Sequence, residues 1–259
     1  FLRAQPGEWA LMPVLLLGGT GEARELAARL HPDIDVISSL AGRVPDPALP
    51  VGPVRIGGFG GVVGLREWLR DNDISAVIDA THPFAATMTA HAAQACAELG
   101  LPHLVLARPA WDTRDAILVA SDTEAAQVVA DRGFARVFLT TGRSGLAPFT
   151  ASGAWFLIRV VTPPDAALLP PDNRRLLSRG PYGYDDERAL LRDNRIDVLV
   201  TKNSGGRLTE AKLAAARDLG VPVVMIDRPP LPPGVRTVSS VGEAVEWLAA
   251  LPAGRAQDG

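Results

Sequence analysis

Short runs of valine, isoleucine and leucine alternate along the chain with stretches whose apolar positions recur at helical spacing. In the first half the runs 14–17, 34–39, 54–56, 75–80 and 103–107 read as strands. Between them, Val62, Leu65, Trp68 and Leu69 mark one face of a helix over 62–72. Phe84, Met88, Ala92, Ala95 and Leu99 do the same over 84–99. The second half repeats the rhythm, with strands predicted at 117–120, 136–140, 155–161, 197–201, 222–226 and 235–238. Its helices are predicted at 123–132, 185–194, 209–219 and 242–251. The proline pairs Pro163-Pro164 and Pro170-Pro171 mark a loop-rich passage. Strands that alternate singly with helices predict an α/β protein built on parallel sheets flanked by helices.

Two β/α halves meet near residues 109–120, without a clear linker and without a repeated motif. Residues 12–115 are expected to form the first domain and 116–252 the second, with 1–11 an extension or leader and 253–259 a flexible tail. So short a connection lets a strand cross from one sheet to the other. Ligands of such folds bind at the carboxyl ends of the strands, here in a cleft expected between the halves.

Composition narrows the field. With 259 residues, 47% of them hydrophobic, the chain can bury one large core or two modest ones. A net charge of -3 provides no field favouring nucleic acid or an anionic membrane. The single cysteine, Cys96, cannot form an intramolecular disulfide and lies on an alanine-rich helical pattern, as a small buried residue would. No apolar run reaches membrane-spanning length and no secretory signal pattern opens the chain, so a cytoplasmic location is expected.

The most informative segment follows the first strand. Val14 to Leu17 breaks into Gly18-Gly19-Thr20-Gly21, and Glu22-Ala23-Arg24 opens a helix. Bare backbone N–H groups at a positive helix end form a place for a phosphate, so a nucleotide is the first ligand to expect. The full dinucleotide fingerprint is absent, because its third glycine falls on Arg24. The next strand ends in Ser38-Ser39, with Arg43 following, where an NAD-preferring site usually carries a carboxylate. Two hydroxyls and a guanidinium suit a 2′-phosphate, which predicts NADPH rather than NADH.

Other strand ends carry more polar function than a turn needs. In Asp79-Ala80-Thr81-His82-Pro83-Phe84, Pro83 is expected at the first helical position with His82 as the cap. A neutral imidazole there can contact a ligand or donate a proton, or serve only as a helix cap. Arg108-Pro109-Ala110-Trp111, Thr141-Gly142-Arg143, Ser178-Arg179-Gly180-Pro181-Tyr182 and Thr201-Lys202-Asn203-Ser204-Gly205-Gly206-Arg207 each place a cation beside small or rigid residues. Singly each is an ordinary surface charge or cap; together they point to a polycarboxylate ligand. Alternatives fare poorly. Four histidines, His31, His82, His91 and His103, have no metal-ligand spacing, and neither a Gly-x-Ser-x-Gly elbow nor a Walker loop is present. The residues four beyond Tyr182 and Tyr184 are Asp186 and Arg188, not the lysine that a short-chain dehydrogenase requires.

In order along the chain, segments 16–24, 39–43, 56–61 (Ile-Gly-Gly-Phe-Gly-Gly), 79–85, 108–111, 141–143, 179–181 and 201–206 resemble the precorrin-6A reductase family, including the cobalt-precorrin-6A reductases. The resemblance runs from Met12 to Leu251. It implies two Rossmann-like domains around a cleft, and NADPH-dependent reduction of one carbon–carbon double bond of a corrinoid macrocycle in cobalamin biosynthesis. The implied substrate is a tetrapyrrole with several carboxylates, and the implied partners are neighbouring enzymes of the pathway that take over the product. On this reading Gly18, Gly19, Thr20, Gly21, Glu22, Ser38, Ser39, Arg43, Gly57, Gly58, Thr81 and His82 face the cofactor. Arg108, Thr141, Gly142, Arg143, Arg179, Tyr182, Lys202, Asn203 and Ser204 face the substrate. The proton that accompanies the hydride comes from His82, the first candidate, or from water. Two other classes remain to be separated: a catalytically silent NADP-binding sensor and a two-domain sugar-nucleotide transferase.

Overall fold

The computed structural model describes residues 13–42 and 47–252. The expected leader, the expected tail and Arg43 lie outside the described residues. The first elements are β1 (Val14–Leu17), α1 (Gly21–Leu30), β2 (Val36–Leu40), β3 (Val54–Ile56), α2 (Gly61–Asp71), β4 (Ala76–Asp79), α3 (Ala86–Leu99) and β5 (His103–Leu106). There follow β6 (Ala116–Val119), α4 (Asp122–Asp131), β7 (Arg136–Leu139), β8 (Trp155–Val160), β9 (Asn173–Leu177), α5 (Tyr184–Asp193), β10 (Val198–Lys202), α6 (Ala211–Asp218), β11 (Val223–Ile226), β12 (Arg236–Val238) and α7 (Val241–Ala249).

Every strand pairing is parallel, and the strands form two six-stranded sheets. Their orders are β3-β2-β1-β4-β5-β12 and β9-β8-β7-β10-β11-β6. With β1 and β7 each taken as a first strand, both sheets have the order of a doubly wound dinucleotide fold, whose switch point lies between the first and fourth strands. The sixth position in each sheet is filled by the strand that follows the other sheet's fifth. The chain therefore changes unit twice.

Burial explains the unbroken apolar runs. All four residues of β1 are buried, and alternate side chains enter different layers. Val14 and Leu16 pack with Leu26 and Leu30 of α1 and with Trp247 and Leu248 of α7. Leu15 and Leu17 pack with Leu65 and Leu69 of α2 and Ala92 and Cys96 of α3. In the second unit Phe138, Leu157 and Leu199 meet Leu191 of α5 and Ala215 and Ala216 of α6.

Three expectations are corrected. Among the described residues the compact units are those of 13–108 with 230–252, and 109–229, so the second domain does not run unbroken through 116–252. The reason is β12, which hydrogen-bonds β5, and α7, whose Trp247 and Leu248 complete the first core. A strand forms at β9 inside the loop-rich passage, as the edge of its sheet, with Arg174 and Arg175 exposed. Its partly solvated Asn-Arg-Arg-Leu-Leu carries no buried-strand pattern. Finally, α3 begins at Ala86 with Ala85 as its cap, because the Ala85 N–H closes a turn onto the His82 carbonyl. Pro83 and Phe84 occupy that turn, and His82 is not the helix cap.

Trp247→Ala removes a large side chain from the first core and leaves the second core untouched. We expect a loss of about 3–5 kcal/mol in chemical denaturation. A loss below about 1 kcal/mol would contradict the placement of the chain's last helix.

Candidate functional site

The carboxyl end of β1 turns through Gly18 and Gly19 into α1. Gly19 has φ of +106, a conformation that side chains rarely adopt, and a Cβ built there meets nothing within 4 Å. The turn is thus open above the helix end. Thr20 is the N-cap: its hydroxyl accepts from the Ala23 N–H at 3.1 Å and donates to the Ala80 carbonyl at 2.7 Å, tying the β1 turn to the end of β4. The N–H groups of Gly21 and Glu22 have no acceptor one turn earlier within the helix, which is the geometry that receives an anion. Glu22 would oppose such an anion, but Arg108 holds its carboxylate at 2.7 Å. Arg108, expected toward the substrate, belongs to this unit and neutralises Glu22.

Beside this turn lies the end of β2. Ser38 and Ser39 sit within the strand, both buried, and Ser38 Oγ has no hydrogen-bond partner among the described residues. Sequence reasoning missed Arg55 of β3. Its guanidinium lies 3.4 Å from Ser39 Oγ, donates to the carbonyls of Gly57 and Gly58 at 2.6 and 2.7 Å, and stacks 3.7 Å from the Phe59 ring centroid. The glycine run 57–61 is therefore organised by an arginine, which its own composition does not reveal. A cation two residues ahead of that run was the available signal.

At the end of β4 the buried Asp79 carboxylate fixes the next turn. One oxygen accepts both the Thr81 N–H, at 2.9 Å, and the Thr81 hydroxyl, at 2.6 Å. The other has no hydrogen-bond partner among the described residues. Burial, reinforced by Asp79, pushes the Cys96 thiol up to about 12, so it is inert. Burial likewise lowers the His103 pKa, against the opposing pull of Asp79. His82 is exposed at the turn, and its Nδ1 accepts from the Phe84 N–H at 3.3 Å. That bond places the proton of a neutral ring on Nε2.

The corresponding edge of the second unit differs. After β7 the chain forms two short 3-10 turns, Arg143–Gly145 and Ala147–Phe149, where the first unit has α1. Thr141 is buried with its hydroxyl unpartnered among the described residues, and Gly142 and Arg143 follow it. At the end of β10, Lys202 Nζ lies 3.4 Å from Asp122 at the start of α4. Asn203 is buried and accepts the Trp111 N–H at 2.9 Å, with Ser204 next in the chain. Arg179 is exposed, and Tyr182 donates to the Ser178 carbonyl at 3.0 Å. The structure thus brings Thr141–Arg143 and Lys202–Ser204 to neighbouring strand ends, β7 and β10, which pair directly.

A nicotinamide dinucleotide fits what the first unit offers: an open glycine turn, a capped helix start, a buried serine hydroxyl without a hydrogen-bond partner among the described residues, and a guanidinium beside the second serine. No group of histidine, cysteine and carboxylates among the described residues could hold a metal ion. No helix among them is long and apolar enough to cross a membrane.

Comparison with known proteins adds to this geometry. Residues 13–249 match the family model for precorrin-6x reductase CbiJ/CobK. A precorrin-6A reductase of Mycobacterium tuberculosis is 68% identical over 239 residues, covering 92% of this chain and 98% of the relative. A cobalt-precorrin-6A reductase of Methanothermobacter thermautotrophicus is 32% identical, covering 90% and 80%. Among solved structures, CobK precorrin-6A reductase superposes with a TM-score of 0.84 at 41% identity, covering 92% of this chain and 96% of that one. In sequence and in fold, this chain belongs to the precorrin-6x reductase family.

Proposed function

We propose that the chain is an NADPH-dependent reductase of precorrin-6A, reducing one carbon–carbon double bond of the macrocycle in cobalamin biosynthesis, in the cytoplasm. One observation carries the division of labour. Two sheets share one strand order, but only the first has an α-helix after its first strand. The cofactor's pyrophosphate belongs at that helix start, against Gly18, Gly19, Thr20, Gly21 and Glu22. Its 2′-phosphate belongs near Ser38 and Ser39, with Arg43 and Arg55 as cations. Gly57, Gly58 and Thr81 border the same edge. The absence of an acidic residue at that strand end supports NADPH over NADH.

The second unit offers no helix at the equivalent place, and presents Thr141, Gly142, Arg143, Arg179, Tyr182, Lys202, Asn203 and Ser204 instead. These suit the acetate and propionate groups of a tetrapyrrole. The Lys202–Asp122 pair then exchanges for a substrate carboxylate. The metal-free macrocycle is the better-supported substrate, because the relatives named for it share far more of this sequence than those named for the cobalt form.

Reduction adds a hydride to one carbon and a proton to its neighbour. The nicotinamide supplies the hydride when bound. The conjugated macrocycle is itself the electrophile, so the protein's task is to orient the partners and deliver the proton. His82 is assigned as the donor, because the Phe84 N–H occupies its Nδ1 and places the proton of a neutral ring on Nε2.

Purified protein mixed with NADPH and precorrin-6A is expected to oxidise the nicotinamide and change the tetrapyrrole spectrum together; an unchanged spectrum would point to a sensor or a transferase. Arg43→Ala is expected to raise KM for NADPH roughly tenfold or more with little effect on NADH, since a charge-assisted hydrogen bond contributes about 1.5–3 kcal/mol. Equal losses with both cofactors would remove the 2′-phosphate assignment. His82→Ala is expected to lower kcat by about 10²–10⁴; full turnover in that variant would assign the proton to water.

A further inference from the structure

Beneath the loop that follows β10 lies a lysine that the reaction described above does not use. Lys212 of α6 is 4% exposed. Its ammonium donates to the Thr209 carbonyl at 2.8 Å and sits 4.4 Å from the centroid of the Trp111 ring. Trp111 in turn spans the loop. Its backbone N–H donates to Asn203 Oδ1 and its indole Nε1 donates to the Gly206 carbonyl, both at 2.9 Å. From another direction Arg228 donates to the Asn203 carbonyl at 2.8 Å and to the Pro109 carbonyl at 3.2 Å. Gly205 has φ of +65, and a Cβ there would run into the Pro109 carbonyl and the Arg228 guanidinium. The loop is thus clamped between one aromatic ring and one arginine.

A buried ammonium is an expensive way to support a ring. Hydrocarbon of the same size would pack there without desolvating a charge. Burial pushes the Lys212 pKa down to about 7, with Glu187 raising it and Arg159 lowering it further. Glu187 of α5 is already engaged by the Arg159 fork from β8, at 3.0 and 2.6 Å, and that guanidinium also stacks 3.9 Å over Tyr182. The groups facing the lysine are therefore Glu187, Arg159, the Thr209 carbonyl and the Trp111 ring. A cation over the face of tryptophan is the strongest pairing of its kind, and here it secures a ring that bonds both ends of the loop.

We propose that Lys212 is a positioning residue: by holding Trp111 it keeps the Asn203–Gly206 loop in the shape that receives a substrate carboxylate. This rests on the placement of that carboxylate at Lys202–Ser204 under the function proposed above. Charged Lys212 grips the ring; neutral Lys212 loosens it. Substrate affinity should then fall as pH rises through about 7. Stability should move the other way. Between about pH 7 and the ordinary lysine range the unfolded chain binds the proton that folded Lys212 has lost, so stability rises with pH across that window.

Lys212→Met tests this, since methionine fills the space without the charge. The variant is expected to raise KM for precorrin-6A roughly fivefold to tenfold at pH 6, with kcat within about twofold and KM for NADPH unchanged. Its KM should be flat with pH and equal to the wild type's high-pH value, while its thermal stability below pH 7 exceeds that of the wild type. If the lysine were merely structural, Lys212→Met would raise KM and lower both kcat and stability, and that outcome overturns the proposal, as does an unchanged KM. If Lys212→Met does not fold, Trp111→Phe keeps the ring and removes the Gly206 bond. It should show the same rise confined to the KM of the macrocycle, and an unaltered KM there overturns the proposal equally. Wild-type protein without precorrin-6A turnover at any pH would remove the proposed function, and this inference with it. Wild-type turnover beside an unaltered variant removes the inference alone.

Discussion

The start of α1 is the feature on which the functional reading depends. A helix that begins immediately after a glycine turn leaves its first N–H groups unpaired and its positive end exposed. Thr20 sharpens that end by capping one N–H and anchoring to the Ala80 carbonyl across the switch point of the sheet. The Arg108–Glu22 pair offsets the negative charge carried by the first turn of α1 itself. In the second sheet, the same position holds two 3-10 turns too short to sum a comparable dipole. One strand order therefore carries two different strand ends, a capped α-helix start in the first sheet and short 3-10 turns in the second.

The exchange of sixth strands has a consequence for stability. The first core cannot be completed by a contiguous stretch of chain, whereas the second unit is the unbroken stretch 109–229. The first lacks β12 and α7 until residues beyond 229 return, and the second takes β6 from the connection that leaves the first. Trp247 and Leu248 bury against Leu26 and Leu30, partners more than two hundred residues away in sequence. Such pairings carry a large loop-closure entropy, which is offset only when the apolar surface is buried.

Much of this was legible in the sequence because it is local. The buried run of β1 and the glycine turn lie within a few residues of one another, and the periodicity of α2 and of the body of α3 needed no tertiary information. The family resemblance came from the same kind of short ordered segments. What stayed hidden depends on partners far along the chain. The strand β9 has no apolar pattern, because an edge position asks little of its side chains. Arg55 reads as an ordinary strand residue until Ser39 and Phe59 are brought to it. Lys212 looks like one charge on the polar face of a helix, whereas Trp111, a hundred residues earlier, turns out to be its neighbour. The start of α3 was misjudged because Pro83 suits a first helical turn and a preceding turn equally well, and the Ala85–His82 bond decides for the latter.

A crystal structure with NADP bound would test the central claim most directly. The pyrophosphate is expected within hydrogen-bond distance of the backbone N–H groups between Gly19 and Glu22, with the 2′-phosphate beside Ser39 and Arg55. A dinucleotide seated instead against Thr141–Arg143, at the first strand end of the other sheet, would contradict it.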